Sequence, residues 1–285
     1  MRFFAFTNLM RQDIREKMPS WINDTDGSQY QLCMSDDIDS WLSCKVLEQV
    51  KGYEVNYFYS FDNFYVMDSD EQKQAIGVDI PLLKGKCWDN HVTMLSSRDN
   101  INKQSANLNT IFKINKTNYT EKWAGSTLLQ VWSYYNLPLP ESDEGKMILL
   151  AIDSSYKGHY IKKFKETQNA WLKMIDFDEL IELQERYTQK DFEQISKKYK
   201  LNEKIIINKD GYLETDILLE EIDKILGYDL SLPQGKFTLK KKFKNDRIDM
   251  MGKYVSSKKK LKGKVFSLAL TSANHVSYST LLGDD

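Results

Sequence analysis

The stretch "YQLCMSDDIDSWLSCKVLEQVKGYEVNYFYSF", residues 30–61, has the pattern of a strand, a helix and a second strand. Two apolar runs enclose a segment in which apolar residues such as Trp41 and Leu47 recur at helical spacing. Asp39 is placed to cap the start of this helix, and Gly52 is placed just beyond its end. A strand–helix–strand unit of this length is typical of α/β proteins with parallel strands.

Similar short apolar runs recur through the first half of the chain and predict a sheet. They are "RFFAF" (2–6), "YQLCM" (30–34), "EVNYFYSF" (54–61), "QAIGVDI" (74–80), "GKCWDNH" (85–91) and "KMILLAIDSS" (146–155). A second helix is predicted in "STLLQVWSYYNLP", where Ser126 or Thr127 is the cap and the helix ends before Pro138. We therefore expect a doubly wound α/β fold with a mainly parallel sheet.

The character of the sequence changes twice along the chain and predicts three parts. Residues 1–160 carry the predicted sheet domain, and residues 161–201 consist of charged, helix-forming segments that indicate a helical connector. Residues 202–285 mix short strand patterns with one helix, which predicts a smaller α/β domain.

Composition narrows the class of protein. The formal net charge is −1, so binding to nucleic acid would have to come from a local patch. The three cysteines form no CxxC pair, which favours a reducing cytoplasmic location over a disulfide framework. No window approaches the roughly 18 apolar residues of a membrane span, so we expect a soluble protein without membrane contact.

Polar residues follow several of the predicted strands at the point where each strand ends. The acidic ones are Asp37, Asp39, Asp79, Asp89 and Asp153, and Asn90 and His91 directly follow the fourth of them. Ligands of open α/β sheets bind beyond the carboxyl ends of the strands, so these side chains are expected to converge. Oxygen ligands with one imidazole suit one or two Mn²⁺ or Mg²⁺ ions, which can activate water and neutralise a phosphate ester.

The same motifs resemble those of the DHH phosphoesterase superfamily, which includes exonucleases, oligoribonucleases and cyclic-dinucleotide phosphodiesterases. The resemblance covers about the first 160 residues, through "CMSDDIDS", "IGVDI", "WDNH" and "AGSTLLQVW" with "MILLAIDSSYKG". It implies a catalytic lobe, a helical connector and a smaller substrate-binding lobe, which in this chain is a truncated or divergent version of the family's. By the resemblance, the ligand of one ion is Asp37, the ligands of the other are Asp39 and Asp153, the bridging ligand is Asp79, and the residue near the substrate phosphate is His91.

Three positions depart from the family pattern. Cys33 stands where the family usually has a metal-binding histidine, and Asn90 stands in place of the first histidine of the DHH motif. Cys33 is either a metal ligand or a buried, inert strand residue. The glycine-rich, histidine-containing motif near the C-terminus of many relatives is missing from the sequence, where His275 is either a substitute or structural.

Two further features are candidates for substrate contact. His159 follows Asp153 by six residues and is either a substrate contact or a surface histidine. Residues 236–264 carry twelve Lys or Arg against two Asp, with aromatic residues between them. This segment is either a nucleic-acid contact or a solvated lysine-rich hairpin.

Two functions follow from these residues. The first is a Mn²⁺-dependent phosphodiesterase that hydrolyses a nucleotide or a short oligonucleotide, with Asp79 and His91 as its catalytic residues. The alternative is a DHH-like protein that has lost hydrolysis and binds a nucleotide, a nucleic acid or a protein partner. The departures at Cys33 and Asn90 favour the alternative, whereas the four retained carboxylates favour the enzyme.

Overall fold

A computed structural model describes residues 10–70, 73–251, 258, 261 and 263–282. The helices are α1 Gln12–Arg15, α2 Ile38–Lys51, α3 Leu108–Ile111, α4 Thr127–Tyr134, α5 Asp143–Ala151, α6 Lys157–Tyr160, α7 Lys165–Met174, α8 Asp178–Arg186, α9 Gln189–Lys198 and α10 Leu219–Leu226. The strands are β1 Tyr30–Met34, β2 Glu54–Tyr59, β3 Asn63–Val66, β4 Gln74–Val78, β5 Cys87–Trp88, β6 Ser105–Ala106, β7 Ile205–Ile207, β8 Leu213–Thr215, β9 Thr238–Asp249, β10 Val265–Ser272 and β11 His275–Leu281.

Nine strands form one sheet in the order β10-β11-β9-β3-β2-β1-β4-β5-β6. The strands from β2 to β6 in this order pair in parallel, and those from β10 to β2 pair antiparallel. Strands β7 and β8 form a separate antiparallel pair. The expectation of an α/β fold is confirmed at this level, and the doubly wound arrangement and the division into domains stay predictions.

The strand–helix–strand unit has the predicted form with one difference at its start. Gly52 ends α2 in the left-handed conformation at φ 67°, which glycine adopts without steric cost. The residue that caps α2 is Asp37, whose side chain accepts a hydrogen bond from the Ser40 backbone N–H. Asp39 was the predicted cap and instead lies in the first turn, which leaves its carboxylate for other contacts.

The run "KMILLAIDSS" forms a helix and a tight turn, so the prediction of a strand there was wrong. Ser142 caps α5 by accepting from the Gly145 backbone N–H, and acidic residues occupy the first turn. Residues 145–151 are buried on every side of the helix. A helix that is apolar all round has no helical periodicity in its sequence, and so it resembles a buried strand.

The other predicted elements can be compared directly. The second helix starts at Thr127 with Ser126 as its cap, as predicted. The strand predicted at residues 2–6 lies outside the described residues. The segment predicted as a connector forms α7, α8 and α9, and α8 and α9 both pack on α5. Within the described part of the chain, no helix has the length and apolar character that crossing a bilayer requires.

Candidate metal centre

The candidate centre lies at the carboxyl ends of the parallel strands. Asp79 follows β4, Asp89 follows β5, and Asp39 lies in the first turn after β1. Asp153 reaches the same place from the turn after α5. The structure brings these four carboxylates together, although Asp153 arrives from the turn after a helix and not from a strand.

Two groups of ligand atoms share one carboxylate. Oxygen atoms of Asp39, Asp79 and Asp153 lie within 4.8 Å of one another, and so do the ligand atoms of Asp79, Asp89 and His91. Asp79 is therefore placed between two adjacent positions for a cation. Carboxylates and one imidazole are the ligand types that suit Mn²⁺ and Mg²⁺.

The N-terminus of α4 holds two of these carboxylates in place. The Asp39 oxygens accept hydrogen bonds from the backbone N–H groups of Thr127 and Leu128, both at 2.8 Å. The Thr127 hydroxyl donates to Asp79 Oδ1 at 2.8 Å. The role of Thr127 was missed, although "ST" at the start of a predicted helix was the available signal.

Burial and mutual repulsion oppose ionisation of the carboxylates. Burial raises the pKa of Asp39 well above its usual range, and the charges of Asp79, Asp153 and Asp37 raise it further. Burial likewise raises the pKa of Asp79. The pKa of Asp153, which lies at the exposed side of the centre, is raised by partial desolvation and by the charge of Asp37, and the charge of His91 lowers the pKa of both residues. A bound cation would remove this repulsion and lower all three pKa values.

His91 is held by two carboxylates. Its Nδ1 lies 2.8 Å from Asp89 Oδ1 and 3.8 Å from Asp79 Oδ1. Asn107 Nδ2 donates to the other Asp89 oxygen at 2.7 Å, which fixes the carboxylate behind the imidazole. Burial lowers the pKa of His91, but the charge and hydrogen bond of Asp89 with the charges of Asp79 and Asp153 raise it to about 10. The imidazole is thus protonated at neutral pH when no cation is bound.

Asn90 has one side-chain atom without a partner. Its Nδ2 donates to the Gly125 carbonyl at 2.7 Å and to Asp153 Oδ2 at 3.1 Å. Its Oδ1 is buried and accepts no hydrogen bond from the described residues. Leaving a buried acceptor unsatisfied costs about 1–3 kcal/mol. The atom of this amide that contacts Asp153 is the donor Nδ2, so Asn90 would offer its oxygen to a cation only after the amide turns over. The carboxylates and the imidazole are themselves ligand types that suit a metal ion.

Backbone strain is concentrated at this centre. Eight non-glycine residues in the described chain have φ between 52° and 66°. Four of them, Lys113, Asn136, Asp176 and Lys200, follow the ends of helices, where this conformation is common. The other four are Phe61, Asp79, Asp153 and Ser154. Two of these are the candidate ligands Asp79 and Asp153, and strained residues of this kind cluster at functional sites.

Asp37 lies beside the centre but outside both groups of ligand atoms. Lys204 Nζ lies 3.3 Å from Asp37 Oδ2 and 2.9 Å from Asp36 Oδ1. Lys204, from the segment after α9, was not predicted from the sequence, because nothing local links it to the strand end. The Lys204 ammonium therefore forms an ion pair with the carboxylate that the family resemblance assigns as a ligand of one ion.

Cys33 and His159 are not brought to the centre. Cys33 lies in an apolar cluster with Tyr59, Ile80 and Phe243, and burial raises the pKa of its thiol. His159 is buried 2.9 Å from Asn169 Oδ1 and 3.5 Å from Glu185 Oε1. The structure thus favours the inert, structural interpretation of Cys33. It places the His159 side chain in contact with α7 and α8.

His275 and the basic segment lie elsewhere in the sheet. His275 Nδ1 is 2.7 Å from the Ser272 hydroxyl in the β10–β11 hairpin, which favours a structural role. The basic segment begins with exposed lysines on β9. Its residues 252–257, 259–260 and 262 lie outside the described chain.

A cavity of about 380 Å³ opens beside His91. Its lining includes Phe61, Asp246, Arg247 and four residues that carry hydroxyl groups, Ser267, Thr271, Ser277 and Ser279. A volume of this size lies within the range of about 300–1,000 Å³ typical of ligand pockets. The cavity therefore provides room for a ligand next to the candidate metal centre.

Comparison of the chain with protein-family models, with curated proteins and with solved structures gave no match. The resemblance to the DHH superfamily accordingly rests on the motif residues alone.

Proposed function

We propose that the protein is a metal-dependent phosphoesterase that hydrolyses a nucleotide or a short oligonucleotide. The observation that carries the proposal is the pair of ligand groups that share Asp79 at the carboxyl edge of the parallel strands. Bound Mn²⁺ or Mg²⁺ would neutralise phosphate oxygens and acidify a water molecule for attack on phosphorus. The remaining contributions come from the protein's own side chains.

Each side chain has a role that its position supports. Asp39, Asp79 and Asp153 would hold the first cation, and Asn90 would be a further oxygen ligand once its amide has turned over. The second position lies between Asp79 and Asp89. His91 lines the cavity, so it is placed to contact the substrate phosphate and, while Asp89 still holds its proton, to supply that proton to the leaving oxygen. Thr127 orients Asp79 through its hydroxyl.

The substrate class follows from the cavity beside His91. Arg247 is a guanidinium that suits phosphate, and Phe61 offers an aromatic surface for a base. The volume accommodates a single nucleotide unit and excludes a folded nucleic acid. A substrate with one nucleotide beyond the reacting phosphate fits this space.

The test is hydrolysis of dinucleotides by protein freed of metal with a chelator and then supplied with Mn²⁺. Product should form only with the metal, and Asp79→Asn should abolish it. Asp176→Asn is a matched control, since Asp176 also has a left-handed backbone, at φ 62°, but lies at the end of α7. Equal activity in the Asp79 variant and its parent would refute the proposal.

The ion pair of Lys204 with Asp37 favours the alternative, a binding protein without hydrolysis. Under that alternative the parent binds no Mn²⁺, and the variant Asn90→His gains binding that calorimetry detects. Tight Mn²⁺ binding by the parent would count against it.

We also propose that the basic strand β9 contacts the backbone of a nucleic-acid substrate. Lys240, Lys242 and Lys244 lie along this strand and are exposed; Lys242 and Lys244 share one face by alternation, and Lys240 lies at a register shift. Lys244 pairs with Asp246 at 3.1 Å, so the first two are the better candidates. Contacts of this kind make affinity fall as the salt concentration rises.

A further inference from the structure

The antiparallel strands close a ring with part of the parallel sheet. The hydrogen-bonded order β4-β1-β2-β3-β9-β11-β10 returns to the segment after β4 through a bridge between Leu82 and Ser267. The Leu83 N–H donates to the Phe266 carbonyl at 3.1 Å, and the Leu268 N–H donates to the Pro81 carbonyl at 3.0 Å. Side chains on the inner face of these strands therefore enclose a lumen.

An aromatic group divides this lumen. The Tyr59 ring lies 5.1 Å from Phe61, 5.2 Å from Phe243 and 5.3 Å from Phe266, measured between centroids. Its hydroxyl is 2.6 Å from that of Ser279. Phe61 lines the cavity beside His91, whereas Phe243 and Phe266 line a second cavity. The aromatic group thus separates two cavities with different linings.

The second cavity is apolar and has a volume of about 240 Å³. Its wall consists of Cys33, Phe64, Ala75, Gly77, Ile80, Leu82, Gly85, Phe243, Phe266 and Leu281. An engineered apolar cavity of about 150 Å³ remains dry and binds benzene. The larger space here accommodates one ring or a folded alkyl chain of similar size, and apolar burial favours its entry.

Two lysines, Lys84 and Lys241, are the charged residues of this lining. Both are exposed, and neither forms an ion pair with a carboxylate of the described residues. An apolar cavity whose lining includes two exposed lysines is complementary to a molecule with an apolar body and one anionic end. We propose that this cavity binds a small apolar monocarboxylate, such as a medium-chain fatty acid, with the carboxylate at the lysines.

The proposal does not depend on the proposed function, because none of the candidate metal ligands Asp39, Asp79, Asp89, Asp153 and His91 lines this cavity. Octanoate is a suitable probe, and octanol is the matched probe without charge. Calorimetry on the full chain should detect octanoate binding, and the variant Lys84→Ala/Lys241→Ala should bind it at least tenfold more weakly. Octanol should bind the parent and this variant with similar affinity.

Two further variants separate cavity binding from a general charge effect. Lys240→Ala/Lys242→Ala removes the same charge from residues of β9 that do not line the cavity, and it should leave octanoate affinity unchanged. Ala75→Leu fills the cavity and should abolish binding of both probes, while its melting temperature reports that the fold is retained. The proposal is overturned when octanoate does not bind the parent, when Ala75→Leu binds it as the parent does, or when the two lysine pairs have equal effects.

Discussion

Asp79→Asn is the substitution that separates metal binding from stability most clearly. The asparagine keeps an oxygen that accepts the Thr127 hydroxyl hydrogen bond seen at 2.8 Å. It also tolerates the backbone of residue 79, whose φ is 57°, because asparagine is one of the residues that visit this region. The change therefore removes one charge from the centre and little else.

Without metal, we expect the variant to be at least as stable as the parent. Burial raises the pKa of Asp79 well above its usual range, and Asp37, Asp153 and Asp89 raise it further against the opposing charge of His91. Ionising this carboxyl is therefore less favourable in the folded state than in the unfolded chain. An uncharged amide relieves the repulsion among the remaining carboxylates.

With Mn²⁺ bound, we expect the parent to be more stable than the Asp79→Asn variant. Ion binding at a hundred times the Kd stabilises a protein by about 2.7 kcal/mol. An unfolding entropy of about 2.1 cal/mol/K per residue amounts to about 600 cal/mol/K for 285 residues, so Mn²⁺ should raise the parent's Tm by about 4–5 °C. The variant should lose most of this increase, because Asp79 belongs to both ligand groups.

The assay is thermal unfolding of chelator-treated protein with and without Mn²⁺. Asp176→Asn is the control and should show the parent's full increase, since Asp176 shares the left-handed backbone but lies outside the centre. Two results would refute the reasoning. One is an undiminished Mn²⁺ effect in Asp79→Asn, and the other is a metal-free variant that unfolds several degrees below the parent.

Other perturbations test the remaining contacts. His91→Gln should lower kcat on a dinucleotide by about 10²-fold or more, the usual contribution of a proton donor, while His275→Gln should leave it unchanged. Lys204→Ala frees Asp37 and should strengthen Mn²⁺ binding in calorimetry; unchanged or weaker binding would show that Asp37 is not available to metal. Lys240→Ala/Lys242→Ala should reduce the salt dependence of oligonucleotide binding, with a slope smaller by about 2 on logarithmic axes when both lysines contact phosphates. The metal-free protein should lose stability as pH rises from about 4, because carboxyl groups with raised native pKa stabilise the fold below their unfolded pKa and cease to do so above the native one. Mn²⁺ should flatten this decline in a series of melting curves, and a stability that rises over the same range would contradict the assigned direction of the shifts.

Local sequence was informative wherever short-range chemistry controls the structure. Gly52 ends α2 because its backbone φ is positive, and Ser126 starts α4 because its hydroxyl accepts a backbone N–H group. The convergence of Asp79 and Asp89 was also predictable, because parallel strands end at one edge of a sheet. These features depend on neighbours in the chain or on a general rule of topology.

The prediction from local sequence was wrong where burial on all sides removes the helical periodicity of apolar residues. The run that forms α5 is buried on all sides, so its sequence pattern is compatible with a buried strand as well as with a buried helix. Asp153 was still assigned to the centre, since either element could deliver it there. Asp153 reaches the centre from a turn in which its own φ is 54°. This position depends on how α5 packs and cannot be predicted from the sequence of the run.

The amino-acid pattern was therefore sufficient for the α/β class, the end of α2, the start of α4 and the acidic character of the site, since each follows from short-range hydrogen bonds, alternation or strand direction. Packing alone determined that Thr127 holds Asp79, that Lys204 pairs with Asp37 across 167 positions, and that Cys33 faces an apolar lumen. These contacts join residues far apart in the chain. Contacts between distant residues leave no pattern in the local sequence. The ligand geometry and the two cavities therefore form only when the sheet has closed on itself.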